Sequence, residues 1–184
     1  MNELIILVGL PASGKSTWAK EYSETHPDYI VHSSDKLREE MYGDNYDDAD
    51  NSKVFEELHR RILEDLKMHS VIYDATNLVK KRRVHFLKGV PKHVYKTCIM
   101  FLKTYEKCLK DNSKRENSVP DEVITRMRKV FSPLKWPAQT LECVECPVWK
   151  KQRDAPLLGY YPLIRQVRSR QLIIWTNIIS MTVA

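Results

Sequence analysis

The stretch Leu4–Thr17, LIILVGLPASGKST, constrains this chain more than any other. Leu4, Ile5, Ile6, Leu7 and Val8 form an unbroken apolar run. It is short enough for a strand and lacks the alternation of one that faces water, so it reads as a strand buried on both faces of a parallel sheet. The spacing Gly9-x-x-x-x-Gly14-Lys15-Ser16 follows, and the residues after it predict a helix opening at Lys15. A glycine-bracketed loop between a buried strand and a helix N-terminus is a P-loop. Its backbone N–H groups curl around phosphate oxygens, and the helix end adds unpaired donors and a positive dipole. Lys15 reaches the β- and γ-phosphates, and the Ser16 hydroxyl ligates Mg²⁺. Gly9, Ser13, Gly14, Lys15, Ser16 and Thr17 are therefore the expected nucleotide-binding residues, with ATP and Mg²⁺ as the ligands.

The rest of the chain alternates in kind. Helices are expected over Lys15–Glu24, Lys36–Met41, Ser52–His69, Lys80–Lys88, Tyr105–Ser113 and from Pro120 to Phe131. Between them Tyr29–His32, Val71–Asp74 and Val94–Leu102 read as strands, and Leu141–Val144 as a fifth. In the helix from Ser52, residues Val54, Phe55, Leu58, Ile62 and Leu66 recur at helical spacing and predict a buried stripe. Strands alternating with helices specify an α/β fold, a parallel sheet flanked by helices. Ligands bind beyond the carboxyl ends of such strands, so polar residues there are candidates for the site.

Two places qualify by position. Asp35 follows the second strand, with Arg38 three residues on and hence on the same helix face. A carboxylate there can take the proton of an attacking hydroxyl, and a guanidinium beside it can hold an acceptor phosphate. Asp is equally a common helix cap, the alternative role at that position. Asp74 ends the third strand, where a carboxylate can hold Mg²⁺ through water or pin the following turn. Charge is uneven: residues 35–65 carry eleven acidic and five basic side chains, residues 80–135 sixteen basic and five acidic. The basic half suits a polyanion, and Lys80, Lys81, Arg82 and Arg83 are its densest run.

GLPASGKST, SSDKLR, YDATN with RR six residues later, and NSKRENSVPDEV, in this order, resemble the kinase family of phage and bacterial 5′-polynucleotide kinases. The resemblance covers about Leu4–Pro133. It implies a P-loop kinase fold with a helical lid, and transfer of the ATP γ-phosphoryl group to a nucleic-acid 5′-hydroxyl. It implies Asp35 as general base and Arg38 as a contact to the acceptor's phosphate, which favours catalysis over capping. Lys15 and Arg115, the latter matching the family's second lid arginine, then offset charge on the transferred group. The first lid arginine is replaced by Asp111, so Asp111→Arg is expected to tighten ATP binding.

The resemblance fades beyond Pro133, which divides the chain into an expected kinase domain, 1–135, and an extension, 136–184, that holds the last sheet strand. A chain ending after Lys150 is expected to stay active. Cys143-Val144-Glu145-Cys146 is a single CxxC without a second pair, weak as a zinc site. Sparse cysteines and the absence of a signal-peptide pattern or a long apolar stretch point to a cytoplasmic enzyme with no membrane partner. Two rivals remain at this stage. One is a small-molecule kinase acting on a sugar, antibiotic or nucleotide-sugar, and the other a non-catalytic nucleotide-binding module.

Overall fold

The structure, a computed structural model, describes residues 2–43 and 49–131, together with the backbone of 171–176. The expected Leu141–Val144 strand and the Cys143/Cys146 pair lie outside these residues. In chain order the described elements are β1 (Glu3–Val8), α1 (Lys15–Thr25), β2 (Tyr29–Ser33), α2 (Ser34–Tyr42), α3 (Asn51–Asp65), β3 (Ser70–Asp74), α4 (Lys80–Gly89), β4 (Tyr95–Leu102), α5 (Tyr105–Asn112), α6 (Asp121–Val130) and β5 (Gln171–Thr176). The strands form one parallel sheet in the order β2-β3-β1-β4-β5.

The apolar run of β1 is continuous because both faces of the sheet are covered. Leu4, Ile6 and Val8 pack with Val71 and Tyr73 of β3 under Leu37 of α2, Val54, Leu58 and Ile62 of α3, and Phe86 of α4. Ile5 and Leu7 point the other way, meeting Ile72, Ile99 and Phe101 under Trp18 and Ala19 of α1. The strand thus alternates between two cores rather than between core and water. A third, smaller cluster of Leu10, Leu78 and Cys108, with Tyr105, Met127 and Phe131 against it, seats α5 and α6 beside the P-loop.

The expected elements are present with shifted ends. The third helix stops at Asp65, not His69: Leu66 is its C-cap, and the Lys67 and His69 amides turn back to the Glu64 and Asp65 carbonyls. Leu66 still reaches the core. Asp50 caps the start of that helix, its carboxylate accepting from the Ser52 and Lys53 amides. Pro120 is the N-cap of α6 rather than its first helical residue. β5 falls within the extension, the part of the chain expected to hold the last sheet strand. Residues 171–176 pair in register with β4, Thr97 against Gln171 through Leu102 against Thr176. A chain ending after Lys150 would therefore lose a strand of the same sheet that carries the P-loop.

Candidate active site

The loop between β1 and α1 is shaped by two different glycine requirements. Gly14, the N-cap of α1, has φ 100°, a left-handed backbone that only glycine adopts freely. Gly9 is needed for space: a Cβ there would lie 2.7 Å from Ser13 Oγ and 3.0 Å from the backbone oxygen of Phe101. Ala12 also has a positive φ, 57°, without being glycine. Ser13 and Lys15 are buried, whereas Ser16 and Thr17 lie exposed in the first turn of α1. Lys15 Nζ donates to the Leu10 carbonyl at 2.8 Å and to Ser13 Oγ at 3.4 Å. The ammonium is thus folded back on its own loop, the position from which it can swing to a bound phosphate.

Asp74, at the carboxyl end of β3, is 5% exposed. Burial pushes its carboxyl above the ordinary range, opposed by a hydrogen bond from the Ser16 side chain and by the Lys15 charge. The Ser16 hydroxyl and the Asp74 carboxylate are hard-oxygen groups that flank a phosphate loop. That donor set fits Mg²⁺, which is held by few protein ligands plus substrate phosphates. Among the described residues no cluster of three or more metal-binding side chains competes with it.

The turn after β3 is stitched to the P-loop strand. The Gly9 amide donates to the Thr76 carbonyl at 3.1 Å, and Asn77 Nδ2 donates to the Leu7 carbonyl at 3.0 Å. Asn77 sits at φ 47°, a conformation Asn tolerates. Arg83 is buried, and its Nη1 donates to the carbonyls of Asn77 and Leu78. It is thereby removed from the expected phosphate-facing run and becomes the brace of this turn. Lys80, Lys81 and Arg82 remain exposed.

Asp35 is not a helix cap. The N-cap of α2 is Ser33, and Asp35 lies in the first turn, its side chain 69% exposed. Arg38 Nη1 donates to Asp35 Oδ1 at 2.9 Å, and Arg38 Nη2 to Asn51 Oδ1 at 3.0 Å. Asn51, the first residue of α3, was invisible as a site residue because its partner is thirteen positions away and on another element.

These groups share one field. Burial lowers the Lys15 ammonium to about 8; the charges of Asp74 and Asp35 oppose this, and that of Arg115 adds to it. Charges on the first turn of α2, the end of β3 and the segment after α5 thus act on Lys15. Arg115 is carried by the connection between α5 and α6, residues 113–120, which Asn112 closes at its base. The Asn112 side chain is 1% exposed, donates to the Val119 carbonyl at 2.7 Å and accepts from the Val119 amide at 3.1 Å.

Asp111 does not face the loop as an unpaired negative charge. Its Oδ2 pairs with Lys103 Nζ at 2.6 Å and its Oδ1 with Lys114 at 3.5 Å. The bond from Lys103 holds its carboxyl below the ordinary range. Lys103 Nζ also donates to the Ala12 carbonyl in the P-loop at 2.7 Å. Asp111, which stands where the resemblance puts a lid arginine, is thus paired with two lysines.

Residues 4–134 match the model of the AAA domain family AAA_33. The chain belongs to that family. Its fold is that of a P-loop kinase, a parallel sheet flanked by helices. It is 32% identical over 139 residues to the L-seryl-tRNA(Sec) kinase of Methanococcus maripaludis, a match covering 70% of this chain and 52% of that one. It is also similar to a chain in the structure of a Pnkp1/Rnl/Hen1 complex, at TM-score 0.54 and 25% identity over 59% of this chain and 38% of that one. A chain of the Pnkp1/Rnl/Hen1 RNA repair complex matches at TM-score 0.57 and 23% identity, covering 78% and 52% respectively. The chain thus spans about half, or less, of the length of these relatives. No helix among the described residues is long and apolar enough to cross a membrane.

Proposed function

We propose that the protein is an ATP-dependent kinase that phosphorylates the 5′-hydroxyl of a nucleic acid. The observation that carries this reading is the Asp35–Arg38 pair beyond the end of β2, with Asp35 exposed and its charge acting on Lys15 and Asp74. An exposed carboxylate there meets an incoming hydroxyl, and the adjoining guanidinium meets the phosphate that follows it along a strand. The basic balance of residues 80–135 and the likeness to a Pnkp1/Rnl/Hen1 chain support the same acceptor class.

In this mechanism the acceptor oxygen forms a bond to the γ-phosphorus as the bridging oxygen of ADP departs. Asp35 accepts the hydroxyl proton. Lys15, released from the Leu10 carbonyl, binds the phosphate oxygens, and Arg115 offsets their charge from the lid side. Arg38, held by Asp35 and Asn51, positions the acceptor. Ser16 and Asp74 are the residues that would hold Mg²⁺, which supplies charge neutralisation between the phosphates.

A second reading, an acceptor hydroxyl carried on tRNA, is favoured by the 32% identity to the L-seryl-tRNA(Sec) kinase. The deciding experiment incubates the full chain with labelled ATP, Mg²⁺ and, separately, 5′-hydroxyl DNA, 5′-hydroxyl RNA, seryl-tRNA and a sugar panel. Label at oligonucleotide 5′ ends is expected. Label on seryl-tRNA alone establishes the second reading, and label on a sugar alone overturns both.

A further inference from the structure

We infer that Lys103 is a positioning residue for nucleotide binding: it holds the P-loop in its phosphate-receiving shape, with Asp111 as its anchor. The inference rests on the nucleotide half of the proposed function and is independent of the acceptor.

Ala12 occupies the left-handed region at φ 57°, where a residue with a Cβ is at a disadvantage of roughly 1–2 kcal/mol against ordinary backbone, a factor of about ten. A turn closed by the Ser13 amide on the Leu10 carbonyl surrounds it, and a bond from outside the loop adds to that hold. Lys103, one residue past the end of β4, donates to the Ala12 carbonyl at 2.7 Å. That bond fixes the plane of the Ala12–Ser13 peptide, and with it the Ser13 amide, which turns inward to the Leu10 carbonyl at 3.2 Å.

A lysine chain alone is a poor clamp, since its four-carbon stem carries large rotamer entropy. Here the stem is largely enclosed, the side chain being 13% exposed, and the ammonium is fixed from a second side by Asp111 Oδ2 at 2.6 Å. Asp111 is itself fixed because α5 is seated by Cys108 against Leu10 and Leu78. A cation, a carboxylate and a strained carbonyl therefore join three elements: the P-loop, the end of β4 and the helix leading to the Arg115 segment.

An ammonium has three donors. Two are spent on Ala12 and Asp111, and both are directed at protein atoms. The role of Lys103 is accordingly to hold backbone, which makes the strain at Ala12 the point to test. Glycine adopts φ 57° at no steric cost, so Ala12→Gly should make the clamp dispensable.

The experiment measures binding of Mg·ATP and of inorganic tripolyphosphate by calorimetry to the full chain, to Lys103→Met, Lys103→Arg, Asp111→Asn and Ala12→Gly, and to the double variant Ala12→Gly/Lys103→Met. Unfolding midpoints are recorded for each. Lys103→Met is expected to weaken both ligands about tenfold. Asp111→Asn should weaken them less, Lys103→Arg should retain most of the affinity, and Ala12→Gly/Lys103→Met should recover it. Loss of affinity without recovery by Ala12→Gly would overturn the positioning role, because Lys103 would then act on phosphate directly or on global stability. Unchanged affinity in Lys103→Met would overturn it outright. A wild-type chain that binds neither ligand sinks the nucleotide reading and this proposal with it. A wild-type chain that binds both but phosphorylates no oligonucleotide removes the acceptor reading and leaves this one standing.

Discussion

Asp35 and Lys15 take different parts in the proposed reaction, and at the residue scale their surroundings separate them. Asp35 is exposed, caps nothing and touches Arg38, so its substitution removes chemistry rather than packing. Asp35→Asn is expected to lower kcat by at least about 10²-fold, the lower range for loss of a general base. The unfolding midpoint should hardly move, since an exposed ion pair contributes little. Steady-state rates and a thermal melt on the same preparation check this, and unchanged turnover would strip Asp35 of its role. Lys15 is the reverse case, buried and held near 8 by that burial. Above that pH the nucleotide-free protein carries a neutral amine at position 15. Bound phosphates favour the ammonium, so binding must take up a proton between pH 8 and the ordinary lysine range. The sign for stability follows from the same depression. Below pH 8 the buried ammonium costs the nucleotide-free fold stability, and the cost is relieved as pH rises from 8 towards 10.5. Calorimetric titration with ATP at pH 8.5–9 in two buffers of different ionisation enthalpy reads the proton uptake. Equal heats in the two buffers would exclude it.

Among the elements, α3 shows how local signals and packing combine. Its buried stripe is long, but its first turn has no acidic residue to complement the dipole, and the Asp50 cap supplies what the turn lacks. Asp50→Ala is expected to destabilise the protein by about 0.5–2 kcal/mol, the usual loss for an N-cap. The same substitution should weaken acceptor binding more than ATP binding. Asn51, next to the cap, holds Arg38 at 3.0 Å, and a frayed first turn releases that bond. Chemical denaturation, with acceptor and ATP KM values measured separately, checks both halves. Equal changes in the two KM values would mean that the start of α3 does not position Arg38.

For the whole molecule, β5 is the feature with the largest consequence. It pairs with β4 over six residues, from Gln171 to Thr176. Deleting it leaves β4 as an open edge, and the run Cys98–Leu102 makes that edge apolar. Such edges are prone to pair with other chains. A chain ending after Lys150 is expected to melt at least about 5 °C lower than the full chain and to aggregate on concentration. Thermal unfolding and light scattering test this, and an identical melting point with monodisperse scattering would show that the strand is dispensable.

What the sequence determined by itself is what depends on neighbours along the chain. The buried β1, the P-loop spacing, the stripe of α3 and the strand–helix alternation are all patterns of adjacent or near-adjacent residues, and periodicity alone reports them. The catalytic role proposed for Asp35 was legible only through its position after a strand and the resemblance. Tertiary structure decided the rest because it rests on pairs far apart in sequence. Lys103 meets Ala12 from ninety-one positions away, and Asn77 meets the Leu7 carbonyl from seventy. It also decided signs. Arg83 looked like one more surface cation and is buried against two carbonyls, and Asp111 looked like a misplaced negative charge and has Lys103 as its partner. A side chain's charge can be read from sequence. Whether it meets solvent, a carbonyl or an opposite charge depends on which element folds beside it.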